Sequence, residues 1–167
     1  MVQLREKDLP SNELTSLGRR LRDVTKGRAT LLVNGDVGVA REVRAEGVHF
    51  PQERIPLIPT AAGLIAGASV HDAPSALEAE RLGAAFVIFG PVYDTPSKRP
   101  YGPPQGLDAL AKIASAVRLP VLAIGGITPG RVADVRRAGA AGVGVISALL
   151  AADAPAHVVA QFLESLA

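Results

Sequence analysis

The run GASVHD, residues 67–72, places Ser69 and His71 two positions apart where an apolar stretch ends. In an extended chain that spacing puts both side chains on one face, and an imidazole beside a hydroxyl can take and return a proton near neutral pH. Gln3, Arg5 and Lys7 repeat the spacing at the first apolar run, which puts all three on one side of an extended chain. Asn34 closes the next run and His49 the one after it. Thr95, Ser97 and Lys98 stand in GPVYDTPSKRPYGPPQG, a connection too long and too polar to be a plain turn. The run VLAIGGITPG, residues 121–130, contains Gly125 and Gly126, and a later one ends in Ile146 and Ser147. Glycines between a strand and a helix start leave backbone N–H groups open to an anion such as a phosphate, and Ser147 adds a hydroxyl. His49 reads equally as a group of this kind or as a core histidine, while His157 reads as a surface residue. Asp94 has no second carboxylate beside it, so it reads as a turn residue and no metal site is expected.

These groups need elements to carry them. Short β-rich runs alternate with longer amphipathic ones along the whole chain, the pattern of βα units around a parallel sheet. Strands are expected near 2–5, 29–34, 47–50, 64–70, 85–90, 120–125 and 142–147, and helices near 12–26, 37–46, 73–82, 107–117, 131–138 and 156–166. A weaker helical turn is expected around 58–62. Ser11 or Asn12 is placed to cap the first helix, Asp72 precedes another, and Gly83 and Gly139 follow helix ends. Seven βα repeats are one short of a TIM barrel. The expectation is a single α/β domain over residues 1–167, a TIM (β/α)8-type barrel lacking its first βα unit. A doubly wound sheet would carry a glycine-rich phosphate loop after its first strand, and nothing of the form GxGxxG follows Arg5.

In a barrel the strand ends that lead into helices share one rim, which would gather the polar residues above. Phosphates often lie at the loops after strands 7 and 8. Counting the absent unit, these are residues 125–128 and 146–148. Open strand edges beside the gap pair with other chains unless covered, so a partner subunit or shifted helices are expected there, and a homo-oligomer, a dimer, is the expected assembly.

Composition narrows the rest. The chain is 48% hydrophobic but only 4% aromatic, so its core must be built from Ala, Val, Leu and Ile. The absence of cysteine removes disulfides, thiolate nucleophiles and Cys-bound metals, and fits a cytoplasmic protein. The N-terminus MVQLREKDLP is charged where a signal peptide would be apolar, and no run is long enough to span a membrane. With a net charge of +2, and with Arg19, Arg20, Arg22, Lys26 and Arg28 on or beside one helix without interleaved aromatics, nucleic acid is not an expected partner.

Taken together, VQLREKDL, LLVNGDVGVA, GVHFPQE, GASVHD, FVIFGPVYDTPSKRP, VLAIGGITPGRV and AGVGVISAL resemble, in order and spacing, the thiamin phosphate synthase and TenI family. The resemblance runs from Val2 to about Leu150. It implies a TIM barrel that handles thiazole phosphates in thiamin biosynthesis. Synthases of the family resemble one another in an Asn-Asp pair and a Gln-Glu-Asp run whose aspartates hold magnesium on a pyrimidine pyrophosphate. Here those positions read Asn34-Gly35 and Gln52-Glu53-Arg54. The Asn-Gly pair and Pro51 are similar to the TenI branch, which includes thiazole tautomerases. Against this, Gln3, Arg5 and Lys7 match the synthase pyrophosphate motif, Thr95, Ser97 and Lys98 match its substrate loop, and Asp36 could partly replace the lost aspartate.

The resemblance therefore implies a cofactor-free isomerase acting on a thiazole carboxylate phosphate. Gly125, Gly126, Ile146 and Ser147 would hold the phosphate, Asn34 and Ser69 the ring, and Lys98 or Arg5 the carboxylate, while His71 moves the proton. The alternatives are thiamin phosphate synthase, which would require Mg2+, and a regulatory homologue that binds a phosphorylated ligand without turnover.

Overall fold

The computed structural model describes residues 1–6 and 8–167, the side chains of Ser97 and Tyr101 excepted. Lys7 and the Ser97 side chain, both expected at the site, lie outside the described residues. Strands β1 (Val2–Leu4), β2 (Leu31–Asn34), β3 (Gly47–Phe50), β4 (Ile65–Val70), β5 (Phe86–Phe89), β6 (Val121–Ile124) and β7 (Gly142–Gly144) match the seven expected, several being shorter. The helices are α1 (Ser11–Thr25), α2 (Val37–Glu42), α3 (Ala73–Arg81), α4 (Gly106–Ala116), α5 (Val132–Arg137), α6 (Ser147–Leu150) and α7 (Pro155–Leu166). The α/β class of TIM type is the one observed.

The chain forms two compact units. The first comprises residues 1–69 and 78–85. Within it β1, β2, β3 and β4 are successive parallel neighbours, with Val33 opposite Val48 and His49 opposite Gly67. Leu31, Leu32 and Val33 are all fully buried, as are Val48 and Phe50, so these strands are covered on both faces. Gly47 is needed for space: a Cβ there would lie 2.2 Å from the carbonyl oxygen of Ile65. The turn expected at 58–62 is the end of a longer 3-10 helix, Gln52–Ala61. Its buried residues are Ile55, Ile58 and Ala61, a spacing of three that suits three residues per turn. Neither Ser11 nor Asn12 caps α1. The N-cap position is Pro10, with no side-chain hydrogen bond, because the helix has already begun at Ser11.

The second unit comprises residues 70–77 and 86–167. Here β5, β6 and β7 are parallel neighbours, with Val87 opposite Val121 and Ala123 opposite Val143. Val87, Phe89, Val121 and Ala123 form its core with Leu110, Val132, Val135 and Phe162. Asp72 accepts from the backbone N–H of Ser75 at 2.8 Å, closing the start of α3 as expected. Gly139 adopts positive φ just past the end of α5, as Gly83 of the first unit does past α3. The last strand stops at Gly144, and Ser147, expected to close it, opens the four-residue α6.

Candidate active site

Each unit carries its own polar cluster beyond the strand ends. In the first, Gln3 on β1 donates Nε2–H to Oδ1 of Asn34, the last residue of β2, at 3.2 Å. His49, next to the end of β3 and 3% exposed, has Nε2 2.8 Å from Oγ of Ser69 on β4. Burial, with the Arg5 charge adding to it, pushes the His49 imidazole down to about 4. At neutral pH it is therefore an uncharged ring fixed by a hydroxyl, which supports the core-histidine reading. Ser69, expected to work beside His71, is engaged by His49 instead.

Gly35 adopts φ +69° one residue beyond β2, and its N–H donates to the His49 carbonyl at 2.9 Å. Its own carbonyl accepts from Nη1 of Arg54 at 2.9 Å. A Cβ built on Gly35 would lie 3.0 Å from that Nη1, so the guanidinium packs close against the space that glycine leaves. Asp36, the expected substitute ligand, is committed elsewhere: Oδ1 accepts from the N–H of Val39 at 2.9 Å and caps α2.

A magnesium held as the resemblance describes would need hard oxygen ligands from the positions of Gly35 and Arg54. One offers no side chain and the other a cation, Asp36 is spent on a cap, and among the described residues no group of three or more His, Cys, Asp or Glu side chains could hold a metal. The residues present do not fit that ion.

The second unit is built from main chain. Gly125 and Gly126 follow β6 with φ +95° and +63°, as a turn of this kind requires. A Cβ on Gly125 would lie 2.6 Å from Cα of Pro91, and one on Gly126 2.6 Å from the carbonyl oxygen of Asp94. The space that glycine spares is thus taken first by the segment after β5. The Gly126 N–H has no acceptor among the described residues, so it stays available to an anion. Register sets Ile124 opposite Gly144, which brings the end of β6 beside the chain leading to Ile146 and Ser147. Ile146 is exposed and Ser147 opens α6.

Two residues that the sequence reading passed over frame this turn. Arg131 donates Nη1–H to the Gly126 carbonyl at 2.6 Å and lies over the Tyr93 ring, 4.4 Å from its centroid. Burial, with Asp134 adding to it, pushes the Tyr93 phenol up. Nothing in their spacing marks them, since Arg131 reads simply as the start of a helix.

His71 places Nδ1 3.0 Å from the carbonyl of Gly90. A carbonyl only accepts, so Nδ1 carries the proton and the tautomer is set. Gln105 donates to the same carbonyl at 3.4 Å. The long connection is closed at its base by N–H bonds from Gln105 to Pro91 and from Gly106 to Val92. Within it Pro96–Tyr101 forms a 3-10 helix, Thr95 is buried and Lys98 is exposed. Asp94 forms a bidentate pair with Arg99, which accounts for it as a turn residue.

Residues 1–149 match the family model described as thiamine monophosphate synthase. The chain belongs to that family. A putative thiamine-phosphate synthase of Geobacter sulfurreducens is 43% identical over 155 residues, covering 90% of this chain and 73% of the relative. A thiamine-phosphate synthase of Roseiflexus castenholzii is 45% identical over 159 residues, covering 92% and 70%. The solved structure of a thiamine phosphate pyrophosphorylase from Pyrococcus furiosus superposes with a TM-score of 0.88 at 34% identity, over 98% of this chain and 81% of that one. No described helix is long and apolar enough to cross a membrane.

These findings correct the functional expectation. The isomerase reading rested on Gly35, Pro51 and Arg54, yet the relatives that match nearly the whole chain carry synthase names, and none of the comparisons points to the tautomerase branch. Three positions just beyond the ends of two neighbouring strands can differ while the rest of the chain keeps its kinship. The proton-moving role given to His71 falls with the isomerisation it served.

Proposed function

We propose that the protein is a thiamine-phosphate synthase, a transferase joining a pyrimidine pyrophosphate to a thiazole phosphate. The ring nitrogen of the thiazole forms a bond to the exocyclic carbon of the pyrimidine. The bond from that carbon to the pyrophosphate oxygen breaks, and its electron pair leaves with pyrophosphate. The reaction asks a protein to hold two anions, orient them and stabilise charge gathering on the leaving group.

The observation that carries this reading is the identity, above two fifths, to relatives named thiamine-phosphate synthase over nine tenths of the chain. The chemistry of the two clusters supports it. In the first unit Gln3, Arg5 and Asn34 would receive the pyrophosphate, with Ser69 beside His49. In the second, Gly125, Gly126, Ile146 and Ser147 would cradle the thiazole phosphate on main-chain N–H groups and a hydroxyl. Thr95, Ser97 and Lys98 would add polar contacts to substrate, and His71 would meet it with a ring whose tautomer Gly90 has set. The residues at positions 35 and 54 do not fit a magnesium ion, so cationic side chains and main-chain N–H groups would carry the charge of the leaving group.

The test is release of pyrophosphate by the purified chain. Release that requires both substrates together and matches thiamine phosphate formation mole for mole is the expected result. No release with both substrates present, across a range of divalent cations, would overturn the reading.

A further inference from the structure

At the end of β2 the structure offers no carboxylate at positions 35 and 54, where the resemblance implies a cation site, and what stands there is the guanidinium of Arg54. The guanidinium has five N–H donors, of which the bond to the Gly35 carbonyl uses one. That bond at 2.9 Å holds the head group over the end of β2, one residue beyond Asn34, so the side chain is anchored although exposed. A Cβ on Gly35 would lie 3.0 Å from Nη1, a tight contact, so glycine lets the guanidinium approach its carbonyl without shifting. Arg5 places a second positive charge in the same unit, near enough to contribute to the lowering at His49. A guanidinium presents a planar fork that pairs with two phosphate oxygens at once, and it does so without a metal.

We infer that Arg54, held by the Gly35 carbonyl, binds the pyrophosphate group directly and takes over the charge-neutralising role of a magnesium ion, so that pyrophosphate affinity does not require a divalent cation. The identity of the anion rests on the synthase reading above; the binding mode does not. The exchange is chemically complete: a carboxylate needs a bridging cation to meet a phosphate, whereas an arginine meets it unaided.

Calorimetric titration of inorganic pyrophosphate into the full chain, in EDTA and then in excess magnesium, tests this. Wild-type protein is expected to bind in EDTA, with a Kd that magnesium changes by less than about threefold. Arg54→Ala should weaken binding in EDTA at least tenfold, and Arg54→Lys, which keeps the charge but loses the fork, should fall between the two. The pair Gly35→Asp with Arg54→Asp should bind only when magnesium is present. Circular dichroism matching wild type shows that each variant is folded. Wild-type binding that appears only with magnesium, or binding in EDTA unchanged in Arg54→Ala, overturns the inference. Condensation that proceeds with magnesium-dependent pyrophosphate binding would sink the inference and leave the synthase reading standing. Arg54-dependent binding in EDTA with no condensation would do the reverse.

Discussion

In the first unit the polar groups are side chains, Gln3 bonded to Asn34, His49 to Ser69 and Arg54 to the main-chain carbonyl of Gly35, whereas in the second the turn at Gly125 and Gly126 offers main chain. The two regions tolerate change differently. A side chain at the end of a strand can be exchanged while the strand beneath it keeps its packing, as positions 35 and 54, both exposed or half-buried beyond strand ends, would allow. The glycine turn has no such freedom, because Pro91 and Asp94 stand within 2.6 Å of where a Cβ would be. A site made of side chains can drift in chemistry; one made of main chain is held by the fold.

The largest expected effect tests that difference directly. Gly126→Val puts a β-branched residue at φ +63° and drives its Cβ into the carbonyl of Asp94. It should lower stability by about 4 kcal/mol, from backbone strain and overpacking together, and abolish phosphate binding. Gly35→Ala shares the positive φ but meets only the movable end of Arg54, so about 1 kcal/mol is expected. Urea unfolding of both variants decides it, and equal losses would remove the contrast.

His49 gives the next effect. Its folded pKa of about 4 lies below the ordinary imidazole value of 6.5, so between these two the unfolded chain binds the proton that the folded chain refuses. Stability from this group is therefore full above about pH 6.5 and falls as pH drops toward 4, by up to about 3 kcal/mol. Unfolding midpoints measured from pH 7.5 down to 4 should show the decline, and His49→Asn should flatten it. A decline of the same size in the variant would assign the effect to another group.

The smallest effect separates a cap from a ligand. Asp36→Ala should cost about 1 kcal/mol through loss of the bond to Val39 N–H. It should leave pyrophosphate affinity at the wild-type value. A tenfold loss of that affinity in a folded variant would make Asp36 part of the anion site.

Much of this was legible in the sequence because it is written in periodicity and backbone demands. Seven apolar runs alternating with amphipathic ones can only bury themselves as βα repeats, and adjacent glycines after a strand announce positive φ. The partner choices of side chains were not legible. Ser69 lies two residues from His71 along the chain, yet its hydroxyl goes to His49, which arrives from another strand. Arg131 and Tyr93, which frame the Gly126 carbonyl, come together only once β5 and β6 have paired. The branch within the family was misread for a related reason. The branch reading leaned on Gly35, Pro51 and Arg54 alone, whereas kinship is carried by identity spread over about nine tenths of the chain.

The central claim is that this chain joins two substrates rather than rearranging one. Mass spectrometry of a reaction holding both the pyrimidine pyrophosphate and the thiazole phosphate tests it most directly. The account predicts a product with the mass of thiamine phosphate, formed in EDTA as well as in magnesium. A thiazole converted to its tautomer with no condensed product under either condition would contradict it.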